Sequence, residues 1–131
     1  MKSIALIAHD SMKPKLVAFL QQREQWLWGR QFIATGLTAE VLEQGLKLDV
    51  KHAPPGREGG FRALTRMARS GELSVVIFFR DPEIVQDYEA DIIDFVKACI
   101  GLNIPLASNP ASAELLIVGM IRMEQAAKTR V

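Results

Sequence analysis

The stretch Ser3-Ile4-Ala5-Leu6-Ile7-Ala8-His9-Asp10 decides how the rest of the chain is read. It is apolar without alternation as far as Ala8, then ends in two polar side chains. A strand with one wet face alternates apolar and polar residues, so an unbroken apolar run points to a strand covered on both faces. Leu73-Ser74-Val75-Val76-Ile77-Phe78-Phe79 has the same character, enriched in β-branched and aromatic residues. Shorter strand candidates lie at 31–34, 48–51 and 104–107.

Helical patterns fill the intervals. Residues 13–22 put Leu16, Val17 and Leu20 on one face, and 38–44 carry Val41 and Leu42 with Gly45 as a stop. Residues 61–70 place Phe61, Leu64, Met67 and Ala68 on one face. Arg62, Arg66 and Arg69 lie on another, which reads as a solvated surface, and Gly71 ends the helix. Residues 89–100 bury Ile92, Val96 and Cys99 ahead of Gly101. Asn109-Pro110 opens a last helix as N-cap and first-turn proline. That helix runs through Leu115, Leu116 and Val118, and the polar tail 124–131 is expected to fray. Strict β-α alternation predicts parallel strands joined by right-handed crossovers. The fold expected is a single-domain α/β doubly wound, Rossmann-like three-layer sandwich with a five-stranded parallel sheet, spanning residues 1–131.

Composition narrows the function. With 131 residues, 49% hydrophobic and 24% charged, the chain can bury one real core. A net charge of +1 gives no global field for nucleic acid or an anionic membrane. The single cysteine, Cys99, supplies neither a disulfide framework nor a zinc cluster, and at an apolar helix position it reads as core. No apolar run approaches the roughly 18–20 residues of a membrane span. The first run is too short for a signal peptide. A cytoplasmic protein is expected.

In doubly wound sheets ligands bind beyond the carboxyl ends of the strands. Those ends carry His9, Asp10 and Lys13 after the first strand, and Thr35, Gly36 and Thr38 after the second. The loop Pro54-Pro55-Gly56-Arg57-Glu58-Gly59-Gly60 follows the third, Arg80 and Asp81 the fourth, and Ser108 and Asn109 the fifth. Glycine loops running into helix N-termini suit a phosphate, since free N–H groups and the helix dipole both favour an anion. Lys13 adds a point charge, and Thr35 or Thr38 a hydroxyl. Each feature also has a plain structural reading: a cap for Thr-Gly-x-Thr, a turn for Gly59-Gly60, a strand end for His52. Trp26 and Trp28 either pack at the end of the first helix or mark a subunit contact. No Gly-x-Gly-x-x-Gly follows the first strand and there is no P-loop. A signalling receiver would need an acidic cluster where His9-Asp10 stands and an acceptor aspartate where His52-Ala53 stands.

Five segments in order resemble the methylglyoxal synthase family over residues 3–117. They are Ile4 to Asp10 with Lys13, Ala34-Thr35-Gly36-x-Thr38, Gly56-x-x-Gly59-Gly60, Val76-Ile77-Phe78-Phe79-x-Asp81-Pro82 and Asn103-Ile104-Pro105-Leu106-Ala107-x-Asn109. The resemblance implies a homohexamer that turns dihydroxyacetone phosphate into methylglyoxal and phosphate without metal or cofactor. In that chemistry a carboxylate removes a proton beside the carbonyl and electrophilic groups steady the enediolate before phosphate leaves. By resemblance, Lys13, Thr35, Gly36, Thr38 and Gly56, with the added cation Arg57, would hold phosphate. Asp10, Asp81, Asp91 and His9 would surround the reacting atoms. The departures fall in the same place. Where the family has Gly-Gly-Asp, with the aspartate as the expected base, this chain reads Gly59-Gly60-Phe61. Tyr88 stands for a family histidine, Leu37 for a threonine and Pro55 for a serine; Arg57 and Arg80 are added cations. A general base contributes about 10²–10⁴-fold in rate. The expectation is therefore a domain that binds a small phosphorylated metabolite or inorganic phosphate with weak or no turnover. The alternative is an active carbon–oxygen lyase using Asp81 or Asp91 as base. No nucleic acid or membrane partner is expected.

Overall fold

The two unbroken apolar runs are adjacent parallel strands, β1 (Ser3–Ala8) and β4 (Leu73–Phe79), in the computed structural model, which describes residues 2–129. Successive side chains on a strand point to opposite faces. Ile4, Leu6 and Ala8 of β1 join Val75, Ile77 and Phe79 of β4 in one buried cluster, while Ala5 and Ile7 join Val76 and Phe78 in the other. Both faces are covered, so no polar alternation survives.

The remaining strands are β2 (Phe32–Thr35), β3 (Lys51–Ala53) and β5 (Leu106–Ala107), giving a parallel sheet in the order β3-β2-β1-β4-β5. The helices are α1 (Lys13–Gln21), α2 (Glu24–Leu27), α3 (Gly36–Leu46), α4 (Gly60–Arg69), α5 (Glu89–Gly101) and α6 (Pro110–Thr129). Leu16 and Leu20 of α1, Leu42 of α3 and Ile117 of α6 cover one face. Phe61 and Leu64 of α4 and Ile92, Phe95 and Cys99 of α5 cover the other. This is the doubly wound, Rossmann-like sandwich the sequence predicts. Burial pushes the Cys99 thiol up to about 11, as befits a core residue. The chain winds outward to β3 and then returns to the far side of β1, so the strand order reverses between β1 and β4. A crevice opens there, past the carboxyl ends.

Several local expectations shift. The third strand occupies Lys51–Ala53 rather than 48–51. Val50 and Leu48 pack into the core from irregular chain before the strand begins, so their apolar character marks burial without marking pairing. His52 lies within this edge strand and bonds Glu43 of α3 at 2.8 Å. The second strand ends one residue later than expected, at Thr35, and the fifth is only Leu106–Ala107, starting beyond Pro105. The helix α3 starts at Gly36 rather than residue 38 and passes through Gly45 to Leu46. Lys47 then ends it with φ 52. Gly45 serves packing instead: a Cβ there would stand 3.0 Å from Val17 Cγ1 of α1. The four-residue α2 is too short to show a period in the sequence. It buries Trp26 and leaves Trp28 75% exposed. Asn109 caps α6 as expected, its Oδ1 accepting from Ser112 N at 2.8 Å. That helix continues to Thr129, through most of the tail expected to fray, and Arg30 holds Glu124 through two bonds of 2.8 Å. Arg130 and Val131 lie outside the described residues. Among the described residues, no helix is long and apolar enough to cross a membrane.

Candidate functional site

A cavity of about 70 Å³ sits in the crevice, walled by residues that follow β1, β2, β3 and β4. Six of the sequence-predicted site residues line it or its rim: His9, Asp10, Lys13, Thr35, Gly56 and Arg57. Their convergence follows from the parallel topology, which sends every strand end to one edge of the sheet.

His9 is the most constrained of them. It continues β1 in extended conformation, its N–H donating to Phe79 O at 3.2 Å, and the side chain is only 4% exposed. Its Nδ1 accepts the backbone N–H of Asp81 at 2.8 Å. An imidazole nitrogen that accepts a hydrogen bond carries no proton, so in the neutral ring the proton is on Nε2. That Nε2 is buried and has no hydrogen-bond partner among the described residues. Burial first, and the Arg80 charge second, lower the His9 pKa below its ordinary value, which favours the neutral ring. The ring stands edge-on to Phe78, with centroids 5.4 Å apart. His9 is thus a neutral, tautomer-locked N–H donor.

Cations flank it. Lys13 opens α1, donates to Ala8 O at 3.2 Å and pairs with Asp10. The Lys13 hydrogen bond, and then its charge, hold the Asp10 carboxyl below the usual carboxylate range, with a smaller contribution from Arg57. Thr35 ends β2 and is the N-cap of α3, so the positive end of that helix dipole abuts the cavity. Arg57 enters from the short helical turn Gly56–Glu58. The turn is tight. Gly59 has φ 91, and a Cβ on Gly60 would lie 2.1 Å from Pro54 O, so only glycine allows the chain to close there.

The opposite wall is aromatic. Phe61, in the first turn of α4 and 3% exposed, lies 5.4 Å from Phe78, 5.9 Å from Phe95 and stacks on Tyr88 at 6.0 Å with 25° between the rings. Tyr88 packs directly on Gly56, where a Cβ would stand 2.8 Å from its ring. Burial raises the Tyr88 pKa, so its hydroxyl stays protonated at neutral pH.

Four predicted residues are not in the cavity wall. Gly36 packs against the Pro55 ring, and Thr38, 1% exposed, stands behind Thr35 with its hydroxyl 3.4 Å from that of Thr35. Asp81 turns outward, accepting from Ser11 Oγ at 2.7 Å and Glu83 N at 2.9 Å; the Ser11 bond leads in lowering its pKa. Only its backbone N–H serves the site, through His9. Asp91 pairs with Arg62 at 3.4 Å on the outer face of α4 and α5. Conversely, Gln86 and Phe78 line the cavity without having been singled out as site residues. Phe78 was visible as a buried strand residue within the fourth resembling segment, and nothing in the sequence marks Gln86. Among the described residues, no group of three or more His, Cys, Asp or Glu side chains is arranged to hold a metal.

No protein-family model matches the chain. Its sequence is 41% identical over 125 residues to a methylglyoxal synthase of Cupriavidus taiwanensis, covering 95% of this chain and 94% of that protein. It is 37% identical over 117 residues to a methylglyoxal synthase of Carboxydothermus hydrogenoformans, covering 89% and 97%. The chain belongs to the methylglyoxal synthase family. In three dimensions it is similar to the crystal structure of a methylglyoxal synthase from Elizabethkingia anophelis NUHP1. The TM-score is 0.82 at 35% identity, over 88% of this chain and 76% of that one. Within a methylglyoxal synthase scaffold, this member has His9, Asp10, Lys13, Thr35 and Gly56 around the cavity. The Phe61 ring lies in the wall of that cavity.

Proposed function

We propose that this protein is a methylglyoxal-synthase-like domain that binds a small phosphorylated metabolite of the dihydroxyacetone phosphate class, or inorganic phosphate, with weak or no synthase turnover. The observation that carries the reading is the Phe61 ring, buried in the cavity wall and packed between Phe78 and Tyr88. A phenyl ring accepts no proton. Asp10, the one carboxylate on the cavity rim among the described residues, is engaged by Lys13 and held ionised, which makes it a weak base. Binding keeps its support: Lys13 and Arg57 supply positive charge, α3 points its dipole at the cavity, and His9 offers an unsatisfied N–H.

The decisive experiment measures methylglyoxal formation from dihydroxyacetone phosphate by the wild type and by Phe61→Asp, each checked for folding by circular dichroism. Little or no wild-type turnover is expected, with a gain on the order of 10²-fold or more in Phe61→Asp if the rest of the site is competent. Robust wild-type turnover abolished by Asp81→Asn or Asp91→Asn would overturn the reading in favour of an enzyme with a relocated base. The same family reading carries a homo-oligomer, for which the exposed apolar residues of α6 are the candidate contact.

A further inference from the structure

The cavity's dimensions and its aromatic wall narrow the ligand, on the footing of the anion-binding reading above. We propose that the site selects a compact tetrahedral oxyanion, inorganic phosphate or one of its size, and that Phe61 and Tyr88 exclude the carbon skeleton of a triose phosphate. The cavity measures about 70 Å³. On this measure a water-sized atom needs about 10–15 Å³, so there is room for about five to seven non-hydrogen atoms. Phosphorus and its four oxygens fill that space; a triose phosphate has twice as many heavy atoms.

The wall that sets this limit is held by packing and by hydrogen bonds on either side of it. Tyr88 lies on the Gly56 backbone closely enough that one added carbon would collide with its ring. Phe61 backs it and is itself held by Phe78 and Phe95. The backbone of Tyr88 is fixed as well, its carbonyl accepting from Asp91 N at 3.0 Å and Ile92 N at 3.3 Å at the start of α5. Arg80 bonds Glu89 at 2.6 Å and Glu89 accepts from Gln86 N at 3.2 Å, which clamps the segment leading into Tyr88. Chemistry acts in the same direction as size. A ketone and a hydroxyl pressed against Phe61 would lose water and gain no partner there, an unfavourable exchange for buried polar groups. The opposite side is lined by His9, with its unpaired N–H among the described residues, and by Lys13 and Arg57, donors and charge that a small, dense anion satisfies.

Titration calorimetry on the full chain with orthophosphate, methyl phosphate, glycerol 3-phosphate and dihydroxyacetone phosphate tests this. Affinity is expected to fall along that series, with dihydroxyacetone phosphate about tenfold or more weaker than orthophosphate. In Tyr88→Ala that ratio is expected to shrink by about fivefold or more, since the wall is opened. Equal or tighter binding of dihydroxyacetone phosphate by the wild type overturns the size limit and leaves the anion-binding reading standing. An unchanged ratio in folded Tyr88→Ala likewise overturns the role of the wall. Binding of none of the four overturns the anion-binding reading, and this inference with it. Should Tyr88→Ala not fold, the wild-type series decides alone.

Discussion

His9 shows how one backbone contact sets the chemistry of a side chain. The Asp81 N–H reaches Nδ1 at 2.8 Å, and protonating that nitrogen would set two N–H groups against each other. The folded-state pKa is lowered from 6.5, with burial the leading cause. Between that lowered value and 6.5 the unfolded chain binds more protons than the folded one, so stability rises with pH through this window. The contribution is fully present above the unfolded value, is lost as pH falls toward the folded value, and levels off below it. Urea unfolding of the wild type and His9→Gln at about pH 7.5 and about pH 5.5 checks the sign: the wild type is expected to lose more stability on acidification than the variant.

Individual site residues were legible to unequal degrees. His9, Asp10, Lys13, Thr35, Gly56 and Arg57 were found because a parallel sheet gathers its strand ends, and strand ends can be read from apolar runs. Asp81 and Asp91 are placed away from the cavity by partners the sequence does not advertise, Ser11 seventy positions earlier and Arg62 on another helix. A position in a loop gives proximity, while the direction of the side chain depends on such long-range contacts.

The segment from Arg80 to Tyr88 carries the aromatic wall and owes its shape to a few polar contacts. Asp81 receives Glu83 N at 2.9 Å, and Glu89 receives both Arg80 and Gln86 N. The Arg80–Glu89 pair is partly screened, with side chains 32% and 21% exposed, so its removal is expected to cost about 1 kcal/mol or less in global stability. Its local effect is the larger one. Hydrogen exchange in Glu89→Ala is expected to quicken over residues 82–88 while β1 and β4 keep wild-type protection, since local opening need not involve the core. Uniform acceleration across the sheet would contradict a local clamp. Other elements were misjudged in the sequence where burial and pairing part company. Leu48 and Val50 are apolar because they fill the core, yet β3 begins only at Lys51, and α2, with four residues, is too short to repeat a helical pattern.

Across the whole molecule, the fold was legible because β1 and β4 are covered on both faces and their unbroken apolar runs admit few alternatives. Assembly was less so, since an apolar residue in a sequence does not say whether its cover is its own chain or another. The outer face of α6 poses that question directly. Ala113 and Ile117 face the sheet, whereas Leu115 is 77% exposed, Met123 74% and Val118 42%. Arg23–Glu114 and Arg30–Glu124 pairs fasten the helix to the body and fix which face turns outward. Scattered exposed apolar residues are ordinary, but several along one outward helix face make an association patch. A homo-oligomer, a hexamer on the family reading, is expected by light scattering coupled to size exclusion. Leu115→Lys is expected to shift the protein to smaller species while leaving the monomer fold intact, because the leucine contributes little to its own core. A wild type that runs as a monomer at micromolar concentration would remove α6 as a contact. An oligomer indifferent to Leu115→Lys would move the interface to another face, with the exposed Trp28 and Ile100 the next apolar positions to substitute.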